Sequence, residues 1–265
     1  KLGLTMNKRL GQHSLVNNSA INKIISALDL KSGETIIEIG PGKGALTIPL
    51  AEKCEKTGCK IVAIEKDHSL VTWLLGKLVT WTNSEIIKGD ALRLINQVTN
   101  QLSNWKLAGN IPYYITGKLL RIIGDLNRKP ELTVLTIQKE VAERICAQKG
   151  EMNLLAAITQ AWAKPEIIGY LKPSDFNPPP KVESAIIKLE TKARELESGK
   201  WENYCKMVKI IFKQPRKTLL NNLSFGLKIA KNELIGALRA LGFDEKTRPQ
   251  ALSLKDLAVL VDNLS

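Results

Sequence analysis

The chain lacks the residue pairs that build a zinc site. Its cysteines, Cys54, Cys59, Cys146 and Cys205, form no CxxC pair, and its only histidines are His13 and His68. No metal is therefore expected. No apolar run approaches the ~20 residues that a membrane-spanning helix requires, and the N-terminus lacks the pattern of a secretory leader. Scattered cysteines in such a chain predict free thiols in a reducing, cytoplasmic setting. Internal repeats and low-complexity tracts are missing as well. Acid is in deficit, with 39 Lys+Arg against 26 Asp+Glu, a net charge of +13. A balance that basic points to a polyanion, either nucleic acid or an anionic membrane, or to a solvated basic surface. The absence of apolar spans favours nucleic acid. Residues 191–265 hold 14 basic and 8 acidic side chains, a net of +6 that makes this segment the more basic per residue.

What is present fits one α/β domain with a small appendage: 265 residues, 44% of them hydrophobic. A helix is expected from a cap at Asn18 or Ser19. Strand-like runs at 35–40, 60–67, 84–90, 105–110 and 132–138 then alternate with helical runs at 44–54, 68–78, 91–102, 116–126 and 139–148. This βαβα order predicts a parallel sheet covered by helices on both faces. Two more strands, 166–171 and 183–190, flank the turn SDFNPPPK and predict an antiparallel hairpin at one sheet edge. The polar stretch 191–200 reads as a linker, and the remainder carries helical patterns only. The expected division is residues 1–190 for the α/β domain and 191–265 for a helical domain.

Chemistry concentrates at three strand ends. The first strand runs into EIGPGKG, with glycines at 40, 42 and 44. Glycine lets a strand-to-helix turn tighten and its backbone approach a ligand. The spacing departs from the dinucleotide fingerprint, whose third glycine falls five residues after the first, and it suits a nucleotide-like cofactor without a pyrophosphate. Glu65, 25 residues past Gly40, stands where a carboxylate can accept the ribose hydroxyls of an adenosine moiety. Asp90 stands where it can accept from the adenine amine. The fourth strand ends in GNIPYYIT (109–116), which places Asn110, Pro112 and Tyr113 at the same sheet edge. An exocyclic adenine amine is a poor nucleophile because its lone pair is delocalised. The Asn110 side-chain oxygen and a backbone carbonyl at Ile111 or Pro112 can hold its two N–H groups and free that lone pair. An amide needs no prior loss of a proton to accept. Tyr113 offers a face for stacking a base.

Taken together, GNIPYY, EIGPGKG, KRLGQHSL, QKEVAERI and FNPPPKVESAI resemble the ribosomal RNA adenine dimethyltransferase family over nearly the whole chain. FKQPRKTLLNNL (212–223) and RPQALSLKDLA (248–258) resemble its bacterial small-subunit (16S) branch, which dimethylates two adjacent adenosines near the 3′ end of that RNA. The resemblance implies a Rossmann-like class I methyltransferase sheet of seven strands, the last antiparallel, with S-adenosylmethionine as methyl donor. It implies cofactor contacts at His13, Leu15, Gly40, Gly42, Glu65, Asp90 and Asn110, and Phe176 as a second aromatic wall for the base. It also implies that the tail binds the ribosomal subunit. Ser14, where the family usually has an aromatic, and GEMNLLAAI (150–158), which lacks the family's arginine, depart from the pattern.

A base modified at its edge must leave its stack, so RNA is the expected partner. Lys8, Arg9, Lys213, Arg216 and Lys217 are the candidate phosphate contacts, and the acting form is taken as a monomer. Three other readings stay open: a methyltransferase of large-subunit RNA of the antibiotic-resistance type, a non-catalytic assembly or transcription factor on the same fold, and a dinucleotide oxidoreductase.

Overall fold

The computed structural model describes residues 13–79, 81–192 and 200–264. Along the chain run β1 (Ser14–Leu15), α1 (Asn18–Ala27), β2 (Thr35–Ile39), α2 (Thr47–Thr57), β3 (Lys60–Glu65), α3 (His68–Lys77), β4 (Ser84–Lys88), α4 (Ala91–Thr99), β5 (Trp105–Asn110), α5 (Thr116–Asp125) and β6 (Leu132–Gln138). There follow α6 (Lys139–Ile145), α7 (Leu154–Gln160), β7 (Ala163–Leu171), β8 (Phe176–Asn177), β9 (Ser184–Thr191), α8 (Lys200–Ile211), α9 (Leu219–Leu227), α10 (Lys231–Ala240) and α11 (Leu254–Leu264). Two compact units result. One is Lys1–Ala142 with Lys164–Thr191, and the other is Glu143–Ala163 with Lys192–Ser265.

The first unit is built on a seven-stranded sheet of order β4-β3-β2-β5-β6-β9-β7. β2 pairs in parallel with β3 and β5, β3 with β4, and β5 with β6, while β9 is antiparallel to β6. The last long strand is therefore inserted beside β6, and β7 forms the edge. Strands covered on both faces are near-continuous apolar runs. In β2, Ile36, Ile37 and Ile39 are buried. After β4 the chain returns to the other side of β2 to begin β5. The connections leaving β2 and β5 diverge there, which opens a crevice at the carboxyl ends of the strands.

Local chemistry sets several boundaries. α1 is capped by Asn17, one residue before the expected cap: its Oδ1 accepts from Ala20 N (3.1 Å) while its Nδ2 donates to Asp175 Oδ1 (2.8 Å). Lys106, in β5, is buried with Glu34. Its Nζ lies 2.8 Å from Glu34 Oε2 and donates to the Asp29 carbonyl at 2.7 Å. α2 ends where Gly58 turns left-handed (φ 79°) and returns Cys59 to Cys54. The two form a disulfide, which corrects the expectation of four free thiols; Cys146 and Cys205 are not in a disulfide. Among the described residues no helix is long and apolar enough to cross a membrane.

The second unit is helical. Tyr204, Val208, Ile211, Leu223, Leu238 and Leu257 form its core together with Ala156 and Ala157 of α7. The Tyr204 hydroxyl donates to the Ala157 carbonyl (3.0 Å), and the Gln160 amide donates to the carbonyls of Ile145 and Ala147. Residues 143–163 thus pack with the tail, so a single cut at residue 190 does not describe the chain. The reason is the burial of α7, a seven-residue helix too short to display a clear apolar period.

Candidate active site

The crevice at the β2/β5 switch is an open cleft with both polar and apolar lining, the kind of concavity in which small ligands bind. His13, Leu15, Gly40, Gly42, Glu65, Asp90, Asn110, Pro112 and Tyr113 all line it.

Each has a local reason to be there. Gly40 and Gly42 adopt positive φ (67° and 59°), the left-handed region that side chains disfavour. Gly42 N–H donates to Glu65 Oε2 (3.0 Å), and Glu65 Oε1 accepts from Asp67 N–H (2.8 Å). Two backbone bonds therefore aim this buried carboxylate, and an ionised carboxylate has further lone pairs for a ligand. Asp90 is the N-cap of α4. Its Oδ1 accepts from Leu92 N–H (3.0 Å), and its Oδ2 faces Lys66 Nζ at 3.4 Å. Gly109, one residue before Asn110, has no space for a side chain: a Cβ there would lie 2.7 Å from the Ile39 carbonyl. This glycine lets the tips of β2 and β5 approach.

Asn110 is oriented by the segment that crosses the cleft. Its Nδ2 donates to the His13 carbonyl at 2.6 Å, and its Oδ1 has no protein partner among the described residues. The carbonyl can only accept, so the amide's orientation follows. His13 in turn is held by its Nδ1 against the Pro178 carbonyl (2.7 Å), and its ring stacks on Tyr113 with centroids 6.1 Å apart. The Tyr113 hydroxyl bonds the Ser184 hydroxyl at 2.6 Å. Burial raises the Tyr113 pKa above its ordinary value against the lowering effect of that bond, so the phenol stays protonated and is no base at neutral pH.

Phe176 is the exception. β8 pairs it in register with Leu15 of β1, and its side chain is buried among Leu15, Ile24 and Leu171 rather than lining the cleft. It does not form the second aromatic wall. The other aromatic on the lining is Tyr114, which is 69% exposed; its place directly after Tyr113 was the only sequence signal for it. Lys213, Arg216 and Lys217 are exposed on the helical unit. Lys8 and Arg9 lie outside the described residues.

Glu38 also lines the cleft and was not singled out from sequence, although an acid inside the apolar run TIIEI was a signal. Burial, with the negative charge of Glu65 adding to it, pushes its pKa up to about 8. Glu38 Oε2 is buried without a hydrogen-bond partner among the described residues. A positive charge brought beside this buried carboxyl would favour its ionised, accepting form, so the group suits a cationic ligand that also carries donors. S-adenosylmethionine carries both, in its ammonium and its sulfonium, so the residues present fit it. Glu38, Glu65 and the glycine turn would hold it, with Asp90 at the adenine end.

The chain is 37% identical to a ribosomal RNA small subunit methyltransferase A of Dehalococcoides mccartyi, over 97% of this chain and 88% of that protein. It is 32% identical to the protein of the same name from Clostridium acetobutylicum, over 100% of this chain and 95% of that one. Among solved structures, a dimethyladenosine transferase from Plasmodium falciparum superposes with a TM-score of 0.79 at 26% identity, covering 94% of this chain and 96% of that one. The 23S rRNA methyltransferase ErmE superposes at 0.72 with 24% identity, over 95% of this chain and 99% of that one, and shares the fold. The sheet is that of the S-adenosylmethionine-dependent methyltransferases, and with a family model matching residues 3–253, the chain belongs to the ribosomal RNA adenine dimethylase family.

Proposed function

We propose that the chain transfers methyl groups from S-adenosylmethionine to N6 of two adjacent adenosines near the 3′ end of 16S RNA in the small ribosomal subunit, acting in the cytoplasm as a monomer. The observation that carries this reading is Asn110. Its amide nitrogen donates to the His13 carbonyl, and its oxygen has no partner among the described residues and lies beside the glycine turn.

When bound, S-adenosylmethionine supplies an activated methyl on a sulfonium. The chain's own residues position the nucleophile. Asn110 Oδ1 accepts one N–H of the target amine. The backbone carbonyl of Ile111 or of Pro112 accepts the other; that of Pro112 already accepts from Ile115 N–H (3.1 Å) and keeps a second lone pair. Two acceptors on one nitrogen favour a tetrahedral geometry and direct its lone pair into the cleft. Orientation of this kind supplies up to ~7–11 kcal/mol of a barrier. No strong base is required, because an alkylated amine sheds its proton readily. Tyr113 and Tyr114 offer the aromatic surface for the extruded base, a contact of roughly 1–3 kcal/mol. His13, Leu15, Gly40, Gly42, Glu65 and Asp90 hold the donor. Lys8, Arg9, Lys213, Arg216 and Lys217 meet phosphates, in keeping with the net charge of +13.

The relatives' names favour the small subunit over the large one. The test is incubation of unmethylated small subunits and, separately, large subunits with labelled donor, followed by mapping of the labelled nucleotides. Label on paired adenosines of the small subunit is expected. Label confined to large subunits, or equal transfer by Asn110→Ala, would refute the proposal. Sedimentation of the purified chain tests the monomer.

A further inference from the structure

The helical unit carries a second cleft, and of the residues that line it only Lys213 has a role above. It lies between the end of α8 and the end of α9 and is lined by Lys209, Ile210, Lys213, Ser224, Phe225, Gly226 and Lys228. No carboxylate lines it, and none of its three lysines makes an ion pair among the described residues. Phe225 is 65% exposed. The Lys213 ammonium stands 4.5 Å from the centroid of its ring, within cation–π range. The ring thus meets a cation on one side and is otherwise largely open to solvent.

Two backbone features make this a built arrangement. Gly226 lets α9 lie tight against α8, since a Cβ there would come within 2.2 Å of Ile210 Cγ2. Lys228 closes α9 in the left-handed conformation (φ 59°, ψ 34°). Gly or Asn adopts that conformation at least cost, and a long side chain there is uncommon. A lysine therefore occupies the rim at a site where the backbone alone would select Gly or Asn. Ser224 Oγ secures the turn by donating to the Ile229 carbonyl (2.8 Å).

We propose that this cleft binds one unstacked nucleotide of RNA, with its base on the Phe225 ring and the flanking phosphates on Lys209, Lys213 and Lys228. An exposed planar ring among cations that make no ion pair among the described residues matches the surface of a single-stranded nucleic acid, whose bases stack and whose backbone is anionic. The inference deepens the RNA-directed reading above and rests on it.

The experiment measures binding of a fluorescein-labelled single-stranded RNA oligonucleotide by anisotropy across a salt series, alongside methyl transfer to small subunits. Phe225→Ala and Phe225→Leu are expected to weaken RNA binding by roughly five- to a hundredfold, the range of one base–aromatic stack. Phe225→Tyr should retain it, which separates stacking from apolar contact. Lys228→Asn should lower the slope of log affinity against log salt by about 0.7 and leave the melting temperature equal or higher, because Asn suits that backbone better. In the methylation arm these variants should raise KM and spare kcat. RNA affinity and salt slope unchanged in Phe225→Ala and Lys228→Asn would overturn the inference. So would loss of binding to phosphatidylserine vesicles with RNA binding intact, which would assign the cleft to a membrane. If the wild type methylates no subunit, the proposed function fails, while the anisotropy arm still decides the cleft.

Discussion

Glu38 makes folding stability depend on pH in a direction opposite to that of most carboxylates. Its side chain is buried in the wall of the cleft, Oε2 has no partner among the described residues, and its pKa rises from 4.5 to about 8. Below pH 4.5 the folded and unfolded chains both hold the proton. Between 4.5 and about 8 only the folded chain holds it, so unfolding releases a proton and stability falls as pH rises. Above about 8 the carboxyl is ionised in both states and the dependence levels off. Each pH unit in the window costs about 1.4 kcal/mol, or about 5 kcal/mol across it. At ~2–4 °C per kcal/mol for a chain approaching this size, the melting temperature falls by about 10–20 °C. Other groups titrate in the same range, so the comparison is between wild type and Glu38→Gln, whose side chain cannot ionise. The gap between their melting curves should widen steadily from pH 5 to 8 in favour of Glu38→Gln. Parallel curves over that window would refute the reasoning. A cation bound beside Glu38 favours its ionised form, so calorimetry should also show S-adenosylmethionine binding more tightly as pH rises, with the dependence lost in Glu38→Gln.

Asn110→Ala is expected to reduce kcat for methyl transfer by about a hundredfold or more, the effect of a misplaced nucleophile, with donor binding measured by calorimetry largely kept. Lys106→Met leaves Glu34 buried without its cation and should destabilise the fold by about 3–5 kcal/mol in denaturant titration; Lys106→Met with Glu34→Leu should recover much of that. Thiol titration of the denatured chain without reductant should find only Cys146 and Cys205, given the Cys54–Cys59 bond; four reactive thiols would contradict it. RNA affinity should drop by about 0.7–0.9 decade per decade of salt for each phosphate contacted, and a flat response would count against the basic surfaces as the RNA contacts.

The sheet was legible before any coordinates because strand and helix alternate with different periods, and because β-branched runs such as TIIEI and LTVLTIQ end in turn residues. The cleft was legible for a related reason. Glycines, acids and GNIPYY all follow strands, and a parallel sheet gathers its strand ends along one edge. Contacts between segments distant in sequence were not legible. No pattern near Asn110 says that the His13 carbonyl, 97 residues earlier, holds its amide. The pairing of Phe176 with Leu15, which turns that ring into the core, depends on a two-residue strand too short to announce itself. The attachment of α7 to the tail likewise depends on where the chain returns, whereas the Cys54–Cys59 bond spans only five residues across the left-handed turn at Gly58. Sequence alone therefore determined which local elements form and which chemical groups end them, since these follow from neighbours a few residues apart. Tertiary structure alone decided which groups are buried, paired or left without a partner, because burial and hydrogen bonding are settled by whatever distant segment comes to lie alongside.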